Sequence, residues 1–170
     1  MYIASLGKLA LGSRLKALSD QFYGAADEVY QARGARIESR WLPVLRYLWD
    51  VGPRSVTEVA EAIGQTHSAV SQLTDKLVRA GMVKRGRDAK DGRRTVLTLT
   101  EKANHALAEL GPIWCAVRQG VTASLGDHAA QLLDAIAACE RALQERPIVD
   151  AILAQHAALL AQPLEIIPYA

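Results

Sequence analysis

Apolar residues recur at alternating spacings of three and four over most of the chain, a pattern typical of amphipathic helices. Between these runs stand glycine, proline and small polar residues that end or begin helices. The pattern predicts helices over about residues 9–30, 39–51, 55–63, 66–80, 127–146 and 148–161, and a long one from Glu101 to beyond Val121 that runs through Gly111-Pro112 with a kink. We therefore expect a mainly α-helical protein.

One segment departs from helical spacing. Residues 82–85 and 95–99 are rich in β-branched and apolar residues, and Asp88-Ala-Lys-Asp-Gly between them is typical of a turn. They follow two short predicted helices joined by Gly64-Gln65, the first of which opens with the capping-box sequence Ser55-Val-Thr-Glu. A β-hairpin attached to a helix-turn-helix is a winged helix.

Three of the predicted helices carry long, narrow apolar seams. They are the helix over about residues 9–30, the long helix that begins at Glu101 and the helix over about 127–146. Together they offer more apolar surface than a monomer of 170 residues requires. We expect them to be buried partly in a second subunit; the alternative is a monomeric helical bundle. The expected division is an N-terminal dimerisation helix (1–38), a winged helix-turn-helix (39–100), C-terminal dimerisation helices (101–162) and an extended tail (163–170).

Positive charge is concentrated in the predicted winged helix. Residues 66–94 contain eight Lys or Arg against three Asp or Glu, whereas residues 101–170 contain four against eight. A basic patch beside an acidic remainder is typical of a protein that binds a polyanion, and a merely solvated charged hairpin is the alternative. No apolar run is long enough to cross a bilayer, and no signal peptide is evident.

The polar and cationic side chains of this segment suit a DNA groove. A glutamine can both donate and accept at an adenine edge, and an arginine is favoured in a narrow minor groove. We expect Asp75 to pair with Arg79 one turn away, and Asp88 and Asp91 to cap the wing turn. The predicted DNA-binding residues are Thr66, His67, Ser68, Ser71, Gln72, Lys76, Arg87, Lys90, Arg93 and Arg94.

Residues 55–103 resemble the MarR family of bacterial regulators. The resemblance lies in the helix-turn-helix, the Arg79-Ala-Gly-Met-Val exit, the wing Asp88-x-x-Asp-Gly-Arg and Leu99-Thr-x-Lys, with Ala103 where the family often has glycine. It implies a cytoplasmic homodimer that binds pseudo-palindromic DNA, with the fourth predicted helix in the major groove and the wing tip in the minor groove. It also implies a small-molecule pocket between the dimerisation helices and the winged helix.

Five aromatic residues near that junction could line such a pocket, or could equally be part of the core. They are Tyr23, Trp41, Tyr47, Trp49 and Trp114. By family analogy the effector is an aromatic or amphipathic small molecule.

Other functions receive less support from the residues. The histidines at 67, 105, 128 and 156 lack metal-ligand spacing, and no phosphate loop or nucleophile motif is present, so we expect no metal, cofactor or enzymatic activity. Cys115 and Cys139 lie in apolar helical patterns and are expected to be buried rather than to sense oxidants.

Two further alternatives stay open. The tail LEIIPYA resembles the opening strand of an acetyltransferase domain, which some MarR-like proteins carry, although a small β-addition to the dimer explains it equally well. The chain could also be a helical interaction module without DNA binding.

Overall fold

The computed structural model describes residues 2–88 and 91–160, which form two compact units. One unit is Ser13–Val117, and the other comprises the described parts of Met1–Gly12 and Arg118–Ala170. The expected tail at 163–170 lies outside the described residues. None of the described helices is both long and apolar enough to cross a membrane.

The described residues are mainly helical, as predicted. The α-helices are α1 (Tyr2–Ser5), α2 (Leu11–Ala32), α3 (Leu42–Val51), α4 (Val56–Ala62), α5 (His67–Arg79), α6 (Glu101–Leu125), α7 (His128–Glu145) and α8 (Ile148–Leu160), and short 3₁₀ turns precede α2 and α3. The strands β1 (Val83–Arg87) and β2 (Thr95–Leu99) form the hairpin between α5 and α6. The predicted continuity of α6 is confirmed, because Pro112 lies inside the helix.

Side-chain caps define the two helices of the helix-turn-helix. Ser55 accepts from the backbone N–H of Glu58, and the Glu58 carboxylate accepts from the backbone N–H of Ser55, so the predicted capping box is present. Thr66 caps α5 by accepting from the backbone N–H of Ala69 at 3.2 Å. Between the helices Gly64 has φ +65°, a conformation that a residue with a Cβ rarely adopts.

The wing is a two-stranded antiparallel sheet in which Val83 pairs with Leu99 and Arg87 with Thr95. The middle of β2 is held by a β-bridge that the sequence did not suggest. Arg54, just before α4, donates its backbone N–H to the carbonyl of Leu97 and accepts from the N–H of Leu97 at 2.7 Å. The wing therefore shares backbone hydrogen bonds with the chain that enters the helix-turn-helix.

A single apolar core organises this unit. Side chains from α3, α4, α5, the hairpin and the first half of α6 meet there, and Thr74, the one polar member of α5 on this face, bonds its hydroxyl to the carbonyl of Val70 at 2.7 Å. The fully buried residues include Val44, Leu45, Val59, Val70, Leu77, Leu97, Leu107 and Leu110. The core fixes α5 and the wing relative to each other, because both contribute to it.

Polar contacts fasten α2 to the start of α3. Asp27 accepts from the backbone N–H of Ser39 at 2.6 Å, and the Ser39 hydroxyl donates to the carbonyl of Tyr23 at 3.0 Å. Arg40 pairs with Asp20 at 2.5 Å and lies over the Tyr23 ring. The predicted dimerisation helix is thus joined to the helix-turn-helix by a short polar junction.

Two predictions about side chains are wrong. Cys115 and Cys139 are exposed rather than buried, because the residues that the structure describes do not cover the α6 and α7 surfaces that carry them. Asp75 pairs with Arg85 of β1 at 2.6 Å instead of with Arg79, because the hairpin folds back against α5. Helical spacing alone cannot reveal a partner that comes from another element.

Candidate nucleic-acid interface

The outward face of α5 is polar and accessible. His67, Ser68, Gln72 and Lys76 are exposed, and Ser71 is partly exposed, while Val70, Thr74 and Leu77 anchor the opposite face in the core. The Thr66 hydroxyl oxygen accepts the hydrogen bond that caps α5. The remaining N–H groups of the first turn point along the helix axis, where an anion is favoured.

Spacing along α5 brings the expected base-reading side chains together. Ser68, Gln72 and Lys76 are four residues apart and so line one stripe, and Ser71 lies beside it. Gln72 can make paired hydrogen bonds to adenine, and Lys76 can reach guanine acceptors or phosphate. The stripe thus combines neutral hydrogen-bonding groups with a cation in one accessible row.

The wing loop is organised by its own aspartates, as predicted. Asp88 accepts from the backbone N–H of Asp91 at 3.3 Å, and Asp91 accepts from the N–H of Arg93 at 3.0 Å. Backbone bonds between residues 88 and 94 close the loop. Arg93 is held through its backbone while its side chain is exposed, and the predicted contact Lys90 lies outside the described residues.

Two of the predicted wing contacts have partners within the protein. Arg87 donates to the carbonyl of Gly92 at 2.7 Å. Arg94 donates to the carboxylate of Glu58 at 2.8 Å, across 36 positions of sequence. The sequence analysis did not predict this ion pair. It predicted only that Glu58 takes part in the capping box with Ser55.

Glu58 is held ionised by its surroundings. Its pKa falls to about 2, because the backbone N–H of Ser55 donates to the carboxylate, with further contributions from the Ser55 hydroxyl and from Arg94. The Arg94–Glu58 pair therefore keeps its charges throughout the neutral and mildly acidic range.

The aromatic residues proposed for a ligand pocket lie in different surroundings. An open cleft of about 410 Å³ is lined by Trp49, together with Leu48, Gly52, Pro53, Thr98, Leu99 and Asn104. Trp41 is buried in the core, and its Nε1–H has no hydrogen-bond partner among the described residues. Tyr47 packs against the same core, and Tyr23 lies under Arg40. Of the five, the structure thus places Trp49 in this cleft.

Trp114 belongs to a separate cluster. Its Nε1–H donates to the hydroxyl of Tyr30 at 3.2 Å, and the guanidinium of Arg46 lies 5.2 Å from its ring. Burial raises the pKa of Tyr30, so its hydroxyl stays protonated. Among the described residues, no group of three or more His, Cys, Asp and Glu side chains is placed to hold a metal ion.

A capped helix with a polar outer stripe, next to a hairpin with an arginine at its tip and a shared core, defines a winged helix-turn-helix protein. The sequence profile of the MarR family matches residues 37–94, which span α3, the helix-turn-helix and most of the wing. The matched segment is similar to the MarR family, so the resemblance seen in the sequence is confirmed for these residues. No curated protein sequence matches the chain.

Solved structures share the fold beyond the matched segment. CouR, a transcriptional repressor bound to a 23-mer DNA duplex, is 24% identical with a TM-score of 0.64, over 79% of this chain and 96% of that one. PcaV from Streptomyces coelicolor, in complex with its natural ligand, is 24% identical with a TM-score of 0.62, over 80% and 93%. A mutant MarR from E. coli, complexed with operator DNA, is 19% identical with a TM-score of 0.62, over 76% and 92%.

Proposed function

We propose that this chain regulates transcription in the cytoplasm by binding a pseudo-palindromic operator as a homodimer, under the control of a small molecule. In each subunit α5 enters the major groove and the wing tip reaches the adjacent minor groove. The observation that carries this proposal is the Ser68–Gln72–Lys76 stripe, exposed on a helix that shares one core with a cationic hairpin.

Dimerisation is supported by apolar side chains that are exposed among the residues that the structure describes. Leu15, Phe22 and Val29 of the α2 seam are exposed, as are Ile136 and Leu143 of the α7 seam. Large exposed apolar surface of this kind is typical of an interface. A two-fold dimer would present two α5 helices to successive turns of one duplex.

Selection from a random DNA pool tests the DNA-binding part of the proposal. The selected sites should contain two inverted half-sites about one helical turn apart. Gln72→Ala should weaken binding to the selected operator by roughly tenfold or more, since a good bidentate base contact contributes ~1–3 kcal/mol of discrimination. Glu61→Gln, at an exposed position of α4, serves as a substitution outside the stripe.

Salt dependence provides a second test. If each subunit neutralises roughly three or four phosphates, log affinity should fall with log salt at a slope of about −5 to −7. A slope near zero, or an unchanged affinity after Gln72→Ala, would instead support the alternative of a helical interaction module.

The effector site is proposed at the Trp49 cleft, with Tyr23, Trp41, Tyr47 and Trp114 as the other aromatic candidates. The support is an apolar, aromatic-edged cleft between the end of α3 and the base of the wing. A library of aromatic and amphipathic metabolites should contain a compound that releases the operator. Trp49→Ala should abolish that release while leaving ligand-free operator binding intact. If release is lost in Trp114→Ala and kept in Trp49→Ala, the effector site lies at the Trp114 cluster and not at the Trp49 cleft.

A further inference from the structure

Four arginines lie on the hairpin, and two of them bridge it to the helix-turn-helix. Arg85 of β1 binds Asp75 of α5, and Arg94, just before β2, binds Glu58 of α4. One strand is thus tied to the second helix, and the other strand is tied to the first. Arg85 lies opposite Leu97, at the level of the Arg54–Leu97 bridge, and Arg94 lies nearer the tip of the wing.

The Glu58 end of its pair is unusually well fixed for an exposed residue. One carboxylate oxygen accepts from the Ser55 N–H at 2.8 Å, the Ser55 hydroxyl at 2.7 Å and Arg94 at 2.8 Å. A surface ion pair generally contributes little because two mobile side chains must be ordered. Here the capping box has already ordered the carboxylate, so most of that entropic cost does not arise for Glu58.

A short hairpin benefits from such a partner. Two-stranded sheets are marginally stable by themselves, and the direction of this wing decides which groove positions its tip can reach. The wing tip carries Arg93, whose side chain makes no hydrogen bond or ion pair with the residues that the structure describes. Arg93 is therefore available to DNA, whereas Arg94 and Arg85 face carboxylates.

We infer that Arg94 and Arg85 are positioning residues that set the angle of the wing and, with it, the place of the Arg93 side chain near the wing tip. This inference rests on the proposed DNA-binding function and revises the role predicted for Arg94. Glu58 and Asp75 then contribute to DNA recognition indirectly, through the wing.

A double-mutant cycle on Glu58 and Arg94 tests the inference. Gln is a good capping-box residue, so Glu58→Gln weakens the ion pair while keeping the cap. The readout is the ratio of affinities for two operators that differ in A·T-rich or G·C-rich flanks under the wing. This ratio cancels the uniform gain in affinity expected from removing a negative charge near DNA.

Glu58→Gln and Arg94→Gln should each reduce the flank preference about threefold, and the double variant should reduce it no further. The salt slope should stay unchanged, since no phosphate contact is lost. If Arg94 itself binds phosphate, Arg94→Gln should shift the slope of the dimer by about 2, at roughly 0.9 per contact. That shift, or additive effects on the flank preference, would overturn the inference.

Two controls complete the design. Glu61→Gln removes an exposed carboxylate from α4 without touching either ion pair and should leave the flank preference within twofold. Arg93→Gln should abolish the flank preference.

Hydrogen exchange of the wing amides in DNA-free protein gives a readout independent of the proposed function. The amides of Asp88 and Arg94, which close the loop, should exchange two- to fivefold faster in either single variant and no faster in the double variant. If the wild-type protein selects no DNA sequence, the proposed function fails. The exchange measurement then still shows whether the Arg94–Glu58 ion pair positions the wing. Unchanged exchange in both single variants would refute the positioning role of the Arg94–Glu58 ion pair, whether or not the protein binds DNA.

Discussion

The winged helix and the helices α7 and α8 are all rich in apolar residues, yet the burial of these residues differs sharply. In the winged helix the seam residues Val70 and Leu77 are fully buried, whereas α7 and α8 contain no buried residue. In α8 both Ile152 and Leu153 are 59% exposed. A seam therefore indicates that a helix face needs cover, but it does not reveal whether the cover comes from the same chain.

The largest expected effect is in the shared core. Leu77→Ala should lower the free energy of unfolding by about 2–5 kcal/mol, because it opens a cavity among side chains that several elements contribute. Chemical denaturation followed by circular dichroism measures it. Leu133→Ala, at a position that is 67% exposed and off the α7 seam, should cost less than about 0.5 kcal/mol. Equal losses of unfolding free energy in the two variants would contradict the difference in burial between the winged helix and α7.

A charge on the α7 seam tests whether a second copy supplies the missing cover. Ile136→Asp should raise the dimer dissociation constant at least tenfold, since burying an unpaired carboxylate at an interface costs more than about 1.4 kcal/mol. Sedimentation equilibrium measures the change. Ala138→Asp adds the same charge on the opposite face of α7 and should have a smaller effect. If Ile136→Asp leaves the oligomeric state unchanged, the seam is covered by something other than a second copy.

Acid should act on the winged helix through Glu58, with a smaller effect. The carboxylate has a pKa of about 2 in the folded protein against an ordinary value of 4.5, so its ionised form stabilises the fold above pH 4.5. That contribution should be lost progressively as the pH falls from about 4.5 to 2. Thermal unfolding of wild type and Glu58→Gln should therefore differ at pH 6 and converge near pH 2. A difference that does not depend on pH would rule out this role of the carboxylate.

Local sequence rules were sufficient for most of the winged helix. The Ser55 capping box, the glycine turn at Gly64, the Thr66 cap and the aspartate-rich wing turn each depend on residues within a few positions of one another. Their geometry is therefore set by short-range hydrogen bonds and backbone sterics, which the sequence displays directly. The polar stripe of α5 follows from the same 3.6-residue period, once the apolar face is assigned to the core.

Contacts between elements could not be predicted in the same way. Asp75 has a cation one turn away on its own helix, and the structure nevertheless pairs it with Arg85 of the hairpin. The charge of Arg94 and its position in the wing predict a DNA contact, and the structure pairs its side chain with Glu58 of α4. Both outcomes depend on how the hairpin packs against the helices, which is a property of the folded chain.

The sequence by itself determined the order and approximate extent of the main helices and of the hairpin, and the family that the wing resembles, because capping, turn chemistry and hydrophobic period act over a few residues. Only the tertiary structure decided which wing arginines pair with carboxylates, and which cysteines and apolar seams are exposed in the described part of the chain. The reason is physical: the energy of an ion pair or a buried face depends on distances between groups that are far apart in sequence, and packing brings those groups together.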